Sequence, residues 1–339
     1  MDSVQIKEGE YFLGANATVK MIGDSLIAVS SHRNSAIGLF NIHSGNQISQ
    51  ISSSDFAEAR FFPSSFAVED FPVLYIADRF TNSVLKFDFL EKKFLEKTKL
   101  NLPENKVIKL AFGQFFKFKD QFLIELTSSN LDTFHPHYYL KSGNSIYLFD
   151  NNGNENFSFL PFPSFYSETK GTINTQSYLA STNFNSTWLY SFPQEKKIKR
   201  IMSSSPIDII EEIDLPKSRY FNYDLIGLDK IMTFEDYQNG DQTIIPSNHE
   251  FNSIFESQEK IIIQTWLIGD ESKGLNRTTH LMIYNKKDEK WYETSNPRNI
   301  LDIGMLAGEV NDTLYFYEGS LMKHDEKYIK RAVLRPAED

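Results

Sequence analysis

Short apolar runs alternate with polar turns along the whole chain, and the same order of run, turn and run recurs. Residues 26–30 form one β-prone run, a polar turn follows, and residues 37–41 form a second run. The order returns at residues 73–77 and 84–88. Short runs bounded by Asn, Asp, Ser and Gly are typical of β-strands. The recurrence therefore predicts an architecture built from repeated β-units.

Four further copies bring the number of units to six. Most copies are preceded by one more alternating segment across a tight polar turn, so each unit is predicted to be a four-stranded antiparallel sheet. Six such sheets predict an all-β fold, a six-bladed β-propeller, because radial stacking buries the sheet faces and leaves only short edges. The further copies are residues 121–126 with 144–150, 177–181 with 187–192, 260–265 with 280–285, and 312–317 with two strands that end near residue 334.

The domain organisation follows from closure of the ring. We expect one propeller domain over residues 1–339, closed by residues 4–12 pairing with residues 328–334. The units are longer than typical blades, and the largest excess is an insertion at about residues 205–250 with a helical turn at 207–213. Two β-sandwiches are the alternative, but they need a flexible linker, and the insertion is too apolar for one.

Composition and charge narrow the class of protein. The chain has 29 Phe, 16 Tyr and 3 Trp but only 16 Gly, which favours pleated strands, and the absence of cysteine excludes disulfides and thiolate chemistry. The net charge of -10 argues against nucleic acid and anionic membrane surfaces as partners. We place the basic run at residues 196–200 on an outer strand edge and interpret the acidic run at 211–214 as a solvated face.

The start of the chain leaves its location open. The first seven residues lack the basic and apolar regions of a secretory signal, and no stretch approaches the roughly 18 apolar residues of a membrane span. We therefore expect a soluble protein without a membrane span. A methionine that replaces a removed export signal would give the same start, so a periplasmic or exported location and a cytoplasmic one both stay open. The sequence does not specify an oligomeric state.

Two units carry motifs of known propellers. Residues 82–88 and 144–150 both run from an asparagine through apolar alternation to Phe-Asp, and residues 75–78 are Tyr-Ile-Ala-Asp. These motifs resemble six-bladed propellers of the NHL and TolB-like kind, and the chain is similar to uncharacterised propellers that bacteria export as lipoproteins. The resemblance implies the propeller fold and an exported or periplasmic location. It implies no particular activity, since propellers host unrelated functions.

Polar loops that meet around the channel of the propeller form the candidate ligand site. These are the loops between the second and third strands and between blades, and Arg33 and Arg79 would be their fork-shaped donors to an acidic group. Turn chemistry is the alternative, because Asp, Asn and Ser favour such loops by bonding their own backbone. The candidate ligand-binding residues are His32, Arg33, Asp78, Arg79, Asn183, Asn185, Asp270, Lys273 and Arg277.

A metal site is a separate candidate in the long loop of the third unit. His135 and His137 are one residue apart, and Asp132 supplies a third potential ligand. The alternative is a polar and aromatic loop that packs on the ring. No other feature of the sequence indicates a cofactor.

Two functions are therefore considered. The first is a non-catalytic binding or scaffold propeller that recognises a partner protein or a polar ligand at the rim of the channel. The second is a metal-dependent hydrolase or lactonase, in which a divalent cation such as calcium, held by Asn130, Asp132, Asn183 and Asp270, polarises a carbonyl group. The sequence has no serine nucleophile elbow, phosphate-binding glycine loop or dinucleotide fingerprint, and we favour the first function.

Overall fold

Six antiparallel sheets form the blades of a β-propeller, which confirms the predicted fold. The computed structural model describes residues 1–7, 18–31, 35–110, 113–135, 137–173, 179–185, 187–202, 209–241, 243, 245–268, 277–318 and 327–335, with only the backbone described at residues 31, 64 and 277. We number the blades from 1 to 6 in chain order.

The first half of the chain forms three blades and the closing strand of the sixth. That closing strand is β1 (Asp2–Gln5). Blade 1 contains β2 (Val19–Ile22), β3 (Leu26–Ser31), β4 (Ala36–Asn41) and β5 (Gln47–Ser52), and blade 2 contains β6 (Pro63–Ala67), β7 (Val73–Asp78), β8 (Ser83–Asp88) and β9 (Lys93–Lys99). Blade 3 contains β10 (Lys106–Ile108), β11 (Phe115–Phe118), β12 (Gln121–Ser128), helix α1 (His137–Lys141), β13 (Asn144–Asp150) and β14 (Glu155–Pro161), with a 3-10 turn at Ser53–Asp55 between blades 1 and 2.

The second half forms blades 4 to 6. Helix α2 (Ser164–Glu168) precedes blade 4, which contains β15 (Ala180–Phe184), β16 (Thr187–Ser191), a 3-10 turn at Pro193–Glu195, β17 (Lys197–Met202) and β18 (Ile209–Asp214). Helix α3 (Phe234–Gln238) precedes blade 5, which contains β19 (Glu250–Glu256), β20 (Lys260–Ile268), β21 (Arg277–Thr279), β22 (Leu281–Asn285), β23 (Lys290–Glu293) and β24 (Arg298–Asn299). Helix α4 (Ile300–Ile303) leads to blade 6, with β25 (Met305–Val310), β26 (Thr313–Tyr317) and β27 (Tyr328–Val333).

The core consists of six apolar clusters, one between each pair of neighbouring blades. Between blades 3 and 4, for example, Trp188 of β16 packs edge-to-face on Phe159 of β14 with 5.7 Å between ring centroids. Both faces of the middle strands are buried in these clusters. β7 is buried from Leu74 to its last residue, whereas the outer strand β9 is mostly exposed. Because each cluster needs a blade on either side, the same contacts build the walls and close the ring.

The ring closes through β1, which pairs antiparallel with β27 in blade 6. Val4 lies opposite Ile329, and Arg331 donates to both carboxylate oxygens of Asp2 at 2.8 and 2.7 Å. The predicted partners are thus correct, but the closing strand begins at Asp2 and ends at Gln5 rather than spanning residues 4–12, of which 8–12 lie outside the described residues.

The two charged runs of blade 4 pair with each other, which corrects two predictions. The basic run lies largely in β17, the third strand of the blade, and is covered by β18 rather than placed at an edge. The acidic run lies in β18, so residues 209–213 are a strand and not the predicted helical turn; residues 207 and 208 lie outside the described residues. Lys197 pairs with Glu212, and Arg200 pairs with Glu211 at 2.6 Å. Charge complementarity across the two strands explains why both runs belong to one sheet.

The connection between β18 and β19, residues 215–249, packs on the ring. Its backbone pairs with Thr172, whose carbonyl accepts from Leu228 N–H at 2.7 Å and whose N–H donates to Lys230 O at 3.2 Å. Farther along, Phe234 stacks on Phe134 of the β12–β13 loop with 5.8 Å between centroids. The insertion therefore bridges the connections of blades 3 and 4 instead of serving as a spacer.

Candidate functional site

The innermost strands of the six blades, β2, β6, β11, β15, β19 and β25, surround a central channel. Every blade contributes to a cavity of about 950 Å³ inside it. Three of these strands, β6, β19 and β25, have a β-bulge in the pairing with the next strand, at Pro63/Ser65, Phe251/Ser253 and Leu306/Gly308. Bulges re-aim side chains and are frequent beside binding sites. The channel wall is therefore irregular at blades 2, 5 and 6.

Lys20 is the central cation of one side of the wall. From β2 its Nζ donates to the carbonyl oxygen of Phe115 in blade 3 at 2.8 Å and lies 3.7 Å from Glu69 Oε1, after β6 in blade 2. The ammonium group also lies 4.4 Å from the ring centroid of Phe116. Burial lowers the pKa of Lys20, while the carboxylate of Glu69 opposes that change. One side chain thus joins three blades across the wall.

A second polar network links blades 3 and 4. Lys109 Nζ lies 2.6 Å from Glu125 Oε1, and Glu125 is buried. The backbone N–H of Gln114 donates to the other carboxylate oxygen at 3.0 Å. Ser181 of β15 then donates its hydroxyl to Gln114 Oε1 at 2.6 Å. The side chain of Gln114 is therefore fixed where the channel passes between the two blades.

Gln264 performs the corresponding role between blades 5 and 6. Its Nε2 donates to Gly304 O at 2.8 Å, and its Oε1 accepts from Leu306 N–H at 2.7 Å. Asn252 of β19 donates to the same oxygen at 2.9 Å. With no exposed surface of its own, Gln264 holds the wall of the channel from behind.

Two buried polar atoms of the wall have no hydrogen-bond partner in the described part of the chain. They are Asn183 Oδ1 on β15 and Ser253 Oγ on β19, and both residues line the channel. An unpaired buried polar atom costs about 1–3 kcal/mol, so such atoms are normally satisfied by water or a ligand. Aromatic residues also line the cavity: Phe71, Phe115, Phe116, Phe251, Phe255 and Trp266.

Comparison with known proteins identifies the fold. No protein-family model and no curated protein matches the sequence. A solved structure of a DUF4221-family member from Bacteroides vulgatus superposes with a TM-score of 0.68 at 13% identity, covering 98% of this chain and 96% of that one. A Bacteroides fragilis protein described as exported gives 0.59 at 12% identity, covering 98% and 95%. YjhT gives 0.55 at 10% identity, covering 96% and 95%. At these identities the likeness shows the six-bladed propeller alone.

No helix in the described ranges has the length and apolarity that crossing a membrane would need.

Asp78 is a turn residue in the structure. Its Oδ1 accepts from Phe62 N–H at 3.0 Å and its Oδ2 from Thr81 N–H at 3.0 Å, with a further bond from the Thr81 hydroxyl. The side chain is buried, and these bonds correspond to the turn-chemistry alternative. Arg79 follows in the β7–β8 turn and is partly exposed. A ligand-binding role for either residue stays a prediction.

Asn183 and Asn185 do not lie on the predicted rim. They belong to the first strand of blade 4 and to the turn that leads into the second strand, whereas the rim is formed by loops between second and third strands. These two sets of turns lie at opposite ends of a blade because successive strands are antiparallel. The first hairpin of blade 4, formed by β15 and β16, has a sequence pattern that resembles the second hairpin of the other blades. The prediction therefore treats β15 as the second strand of its blade, although it is the first.

The remaining rim residues fall largely outside the described ranges. His32, Arg33, Asp270 and Lys273 all do, and Arg277 is described by its backbone in β21 only. Their ligand-binding roles stay predictions.

The predicted metal ligands lie in the β12–β13 loop, as expected. The rings of His135 and His137 are 4.6 Å apart, and His135 Nδ1 accepts from His137 N–H at 3.1 Å. Both oxygens of Asp132 accept backbone N–H groups, from Phe134 at 2.8 Å and Phe234 at 2.9 Å. Across the described ranges, no group of three or more His, Asp or Glu side chains is arranged to hold a metal ion.

The four oxygen donors proposed for the hydrolase are not brought together among the described residues. Asn130 and Asp132 lie in the β12–β13 loop, Asn183 lies in the channel wall, and Asp270 is outside the described residues. The divalent cation therefore stays a prediction.

A buried histidine on blade 5, His280, is not among the residues that the sequence predicts for a site. His280 Nδ1 lies 2.6 Å from Thr265 Oγ1, and its Nε2 lies 3.3 Å from Glu293 Oε1 and 3.5 Å from Ser218 Oγ. Burial lowers the pKa of His280. Its side chain has no exposed surface, so we assign it to anchoring the insertion rather than to chemistry. In the sequence, the only indication that His280 is buried is the apolar strand β22 that follows it.

Proposed function

We propose that the protein is a non-catalytic binding propeller that takes a polar small molecule into its central channel. The observation that carries this proposal is the channel itself, with about 950 Å³ of space and walls from all six blades that contain both apolar and polar residues. Ligand pockets are typically concavities of about 300–1,000 Å³ with mostly apolar walls and a few placed polar groups. The channel has this composition.

The fixed wall supports the same function. Lys20, Gln114 and Gln264 each bond to a second blade, so the polar atoms around the cavity are positioned before a ligand arrives. A preformed site needs little ordering on binding, and this leaves more of the contact energy for affinity.

We further propose that the protein is exported. The support is the structural neighbour from Bacteroides fragilis that is described as exported. Fractionation of cells that produce the protein from its own gene tests this location, and a wholly cytoplasmic protein would contradict it.

A plugged channel tests the binding function. Thr182 lies in β15 and lines the cavity, so Thr182→Trp places a large ring inside it. We expect fragments detected by ligand-observed NMR with the wild-type protein to lose binding at least tenfold in this variant. Lys97→Trp, on the exposed outer strand β9, is the matched control and should bind as the wild type does. Circular dichroism verifies that both variants are folded.

The proposal fails if no fragment binds the wild-type protein, or if Thr182→Trp binds every fragment as the control does. Arg33→Ala and Arg79→Ala examine the rim in the same assay. Unchanged affinity in both would confine recognition to the channel wall.

A further inference from the structure

We infer that a groove between blades 5 and 6 binds an extended segment of a partner protein, with acidic side chains at both ends of an apolar stretch. The groove has a volume of about 1440 Å³, and none of its described lining residues lines the central channel. The inference therefore does not depend on the proposed function. Three properties of the groove carry it: its short bordering strands, its reachable apolar surface and two unpaired arginines.

The groove lies where two short outer strands meet. The outermost strands of blades 5 and 6, β23 and β1, have four residues each, whereas those of blades 1 to 4 have six or seven. Among the described residues, the apolar cluster between blades 5 and 6 is also the smallest of the six. The two blades therefore pack over a small area, and the outer part of their interface stays open.

Part of the apolar surface of the groove can be reached from outside. Tyr292 of β23 is 49% exposed, and its hydroxyl donates to Asp288 at 2.7 Å. Tyr292 lies opposite Ile283, and Ala332 of β27 lies opposite Leu314. Because Ile283 and Leu314 belong to the cluster between the two blades, both pairs face the groove. Two further half-buried residues of the lining are Ile303 and Leu334.

Positive charge predominates in the groove, although the net charge of the protein is -10. Two of the cations already have partners. Lys260 pairs with Glu309 and Asp312, and Arg331 pairs with Asp2. The charged lining residues are Lys260, Arg298, Arg331, Arg335, Asp2 and Glu293.

Arg298 and Arg335 have no such partner. Both side chains are exposed, and neither forms an ion pair within the ranges that the structure describes. The remaining carboxylate of the lining, Glu293, accepts the backbone N–H of Arg219 at 3.1 Å and lies 3.3 Å from His280 Nε2. A guanidinium group presents paired N–H donors that fit a carboxylate. The two arginines therefore favour acidic side chains in the partner.

The two arginines lie at opposite ends of the groove. Lys260 at the start of β20 pairs with Asp312 just before β26, so both strands start at one end. Arg335 belongs to that end, because the last residue of β27 lies opposite the first residue of β26. Arg298 follows β23, which runs in the same direction as β20 and therefore finishes at the other end. Five extended residues span roughly 17 Å, about the length of these strands.

An extended peptide fits the groove better than two other occupants. Pockets for small molecules have volumes of about 300–1,000 Å³, and the groove is larger. A second copy of the chain would also carry a net charge of -10, so the two copies would repel each other. A peptide can instead lay alternate side chains on the apolar surface and place a carboxylate near each arginine.

Peptide display tests the class of partner. A phage library of random twelve-residue peptides is selected on the purified protein, and the affinity of enriched peptides is measured by fluorescence polarisation. We expect these peptides to carry acidic residues about five positions apart, with apolar residues between them. Their affinity should fall as the salt concentration rises, because salt screens exposed charges.

Substitutions locate the selected peptides in the groove. Arg298→Glu and Arg335→Glu should each weaken binding at least tenfold, because like charges then face each other. Tyr292→Ser should weaken binding at least threefold through loss of apolar contact. Arg60→Glu and Tyr237→Ser, at exposed positions outside the groove, are the matched controls and should leave affinity unchanged. Circular dichroism verifies that all variants are folded.

Three results would overturn the inference. The first is a selection that yields no peptide, or only basic ones. The second is equal affinity of the selected peptides for the groove variants and the controls. The third is a wild-type dimer in light scattering that Arg298→Glu dissociates, since the occupant would then be a second copy. Fragment binding in Thr182→Trp is a separate measurement, so none of these results bears on the proposed function.

Discussion

At the scale of single residues, Glu256 joins two blades through a buried carboxylate at the end of β19. Arg200 of blade 4 donates to both of its oxygens, at 2.8 and 2.7 Å, and Lys286 of blade 5 donates to one of them. Breaking a buried pair is costly because the remaining charges lose their partner. An exposed pair contributes far less, because water and salt screen it.

We therefore expect Glu256→Ala to lower the free energy of unfolding by about 3 kcal/mol, as measured by urea denaturation. Glu212→Ala removes the carboxylate of the exposed pair with Lys197 in the same blade and should have a much smaller effect. Equal losses in the two variants would show that burial of Glu256 is not what makes its ion pair important.

At the scale of elements, the insertion lies in close backbone contact with the β14–β15 connection at Gly171. A Cβ on Gly171 would lie 1.5 Å from the carbonyl oxygen of Leu228, and the φ angle of Gly171 is +76°. Thr172, the next residue, also accepts from Met232 N–H through its hydroxyl at 2.8 Å. The insertion and the β14–β15 connection can approach this closely only where a side chain is absent.

Gly171→Ala should detach this part of the insertion. We expect the Leu228 and Met232 amides to exchange faster with deuterium, while the amides of the blades keep their protection. Gly143→Ala is a matched control, because its φ is also positive, at +69°, but no atom lies within 4 Å of the added Cβ. If both variants leave the Leu228 amide equally protected, the contact does not hold the insertion.

Strand positions could be predicted from the sequence where each run is flanked by its own turn. This holds for β7 and β8, whose residues were placed correctly. It fails in blade 4, because a hairpin does not reveal whether it is the first or second of its sheet, and β18 was mistaken for the start of the insertion. The pairing of β18 with β17 shows that β18 is the fourth strand of blade 4. A pairing between two strands cannot be read from the hydrophobic pattern of either strand alone.

Less of the candidate site than of the fold could be predicted from the sequence. Asn183 was selected, but as a rim residue, and Ser253 was not selected. Which side chain lines a channel depends on the order of strands within the blade and on bulges such as the one between Phe251 and Ser253. A shift of one residue moves a side chain to the other face, and single-sequence patterns rarely locate such a shift.

At the scale of the whole molecule, closure of the ring depends on a strand of only four residues. β1 is followed by Ile6, which is buried in the apolar cluster between blades 6 and 1. Its N–H also donates to Lys327 O at 2.8 Å. Without these residues β27 would become an exposed edge, and the cluster that joins the last blade to the first would lose part of its surface.

Removal of residues 1–7 should therefore destabilise the whole propeller and not only blade 6. Burial of an Ile side chain alone is worth about 1.5–3 kcal/mol, so we expect a loss of about 3 kcal/mol or more in urea denaturation. Asp2→Asn, which weakens only the exposed pair with Arg331, should change stability much less. Because neighbouring blades share every apolar cluster, unfolding should stay a single transition in both variants. A shortened protein as stable as Asp2→Asn would mean that the ring does not depend on β1 for closure.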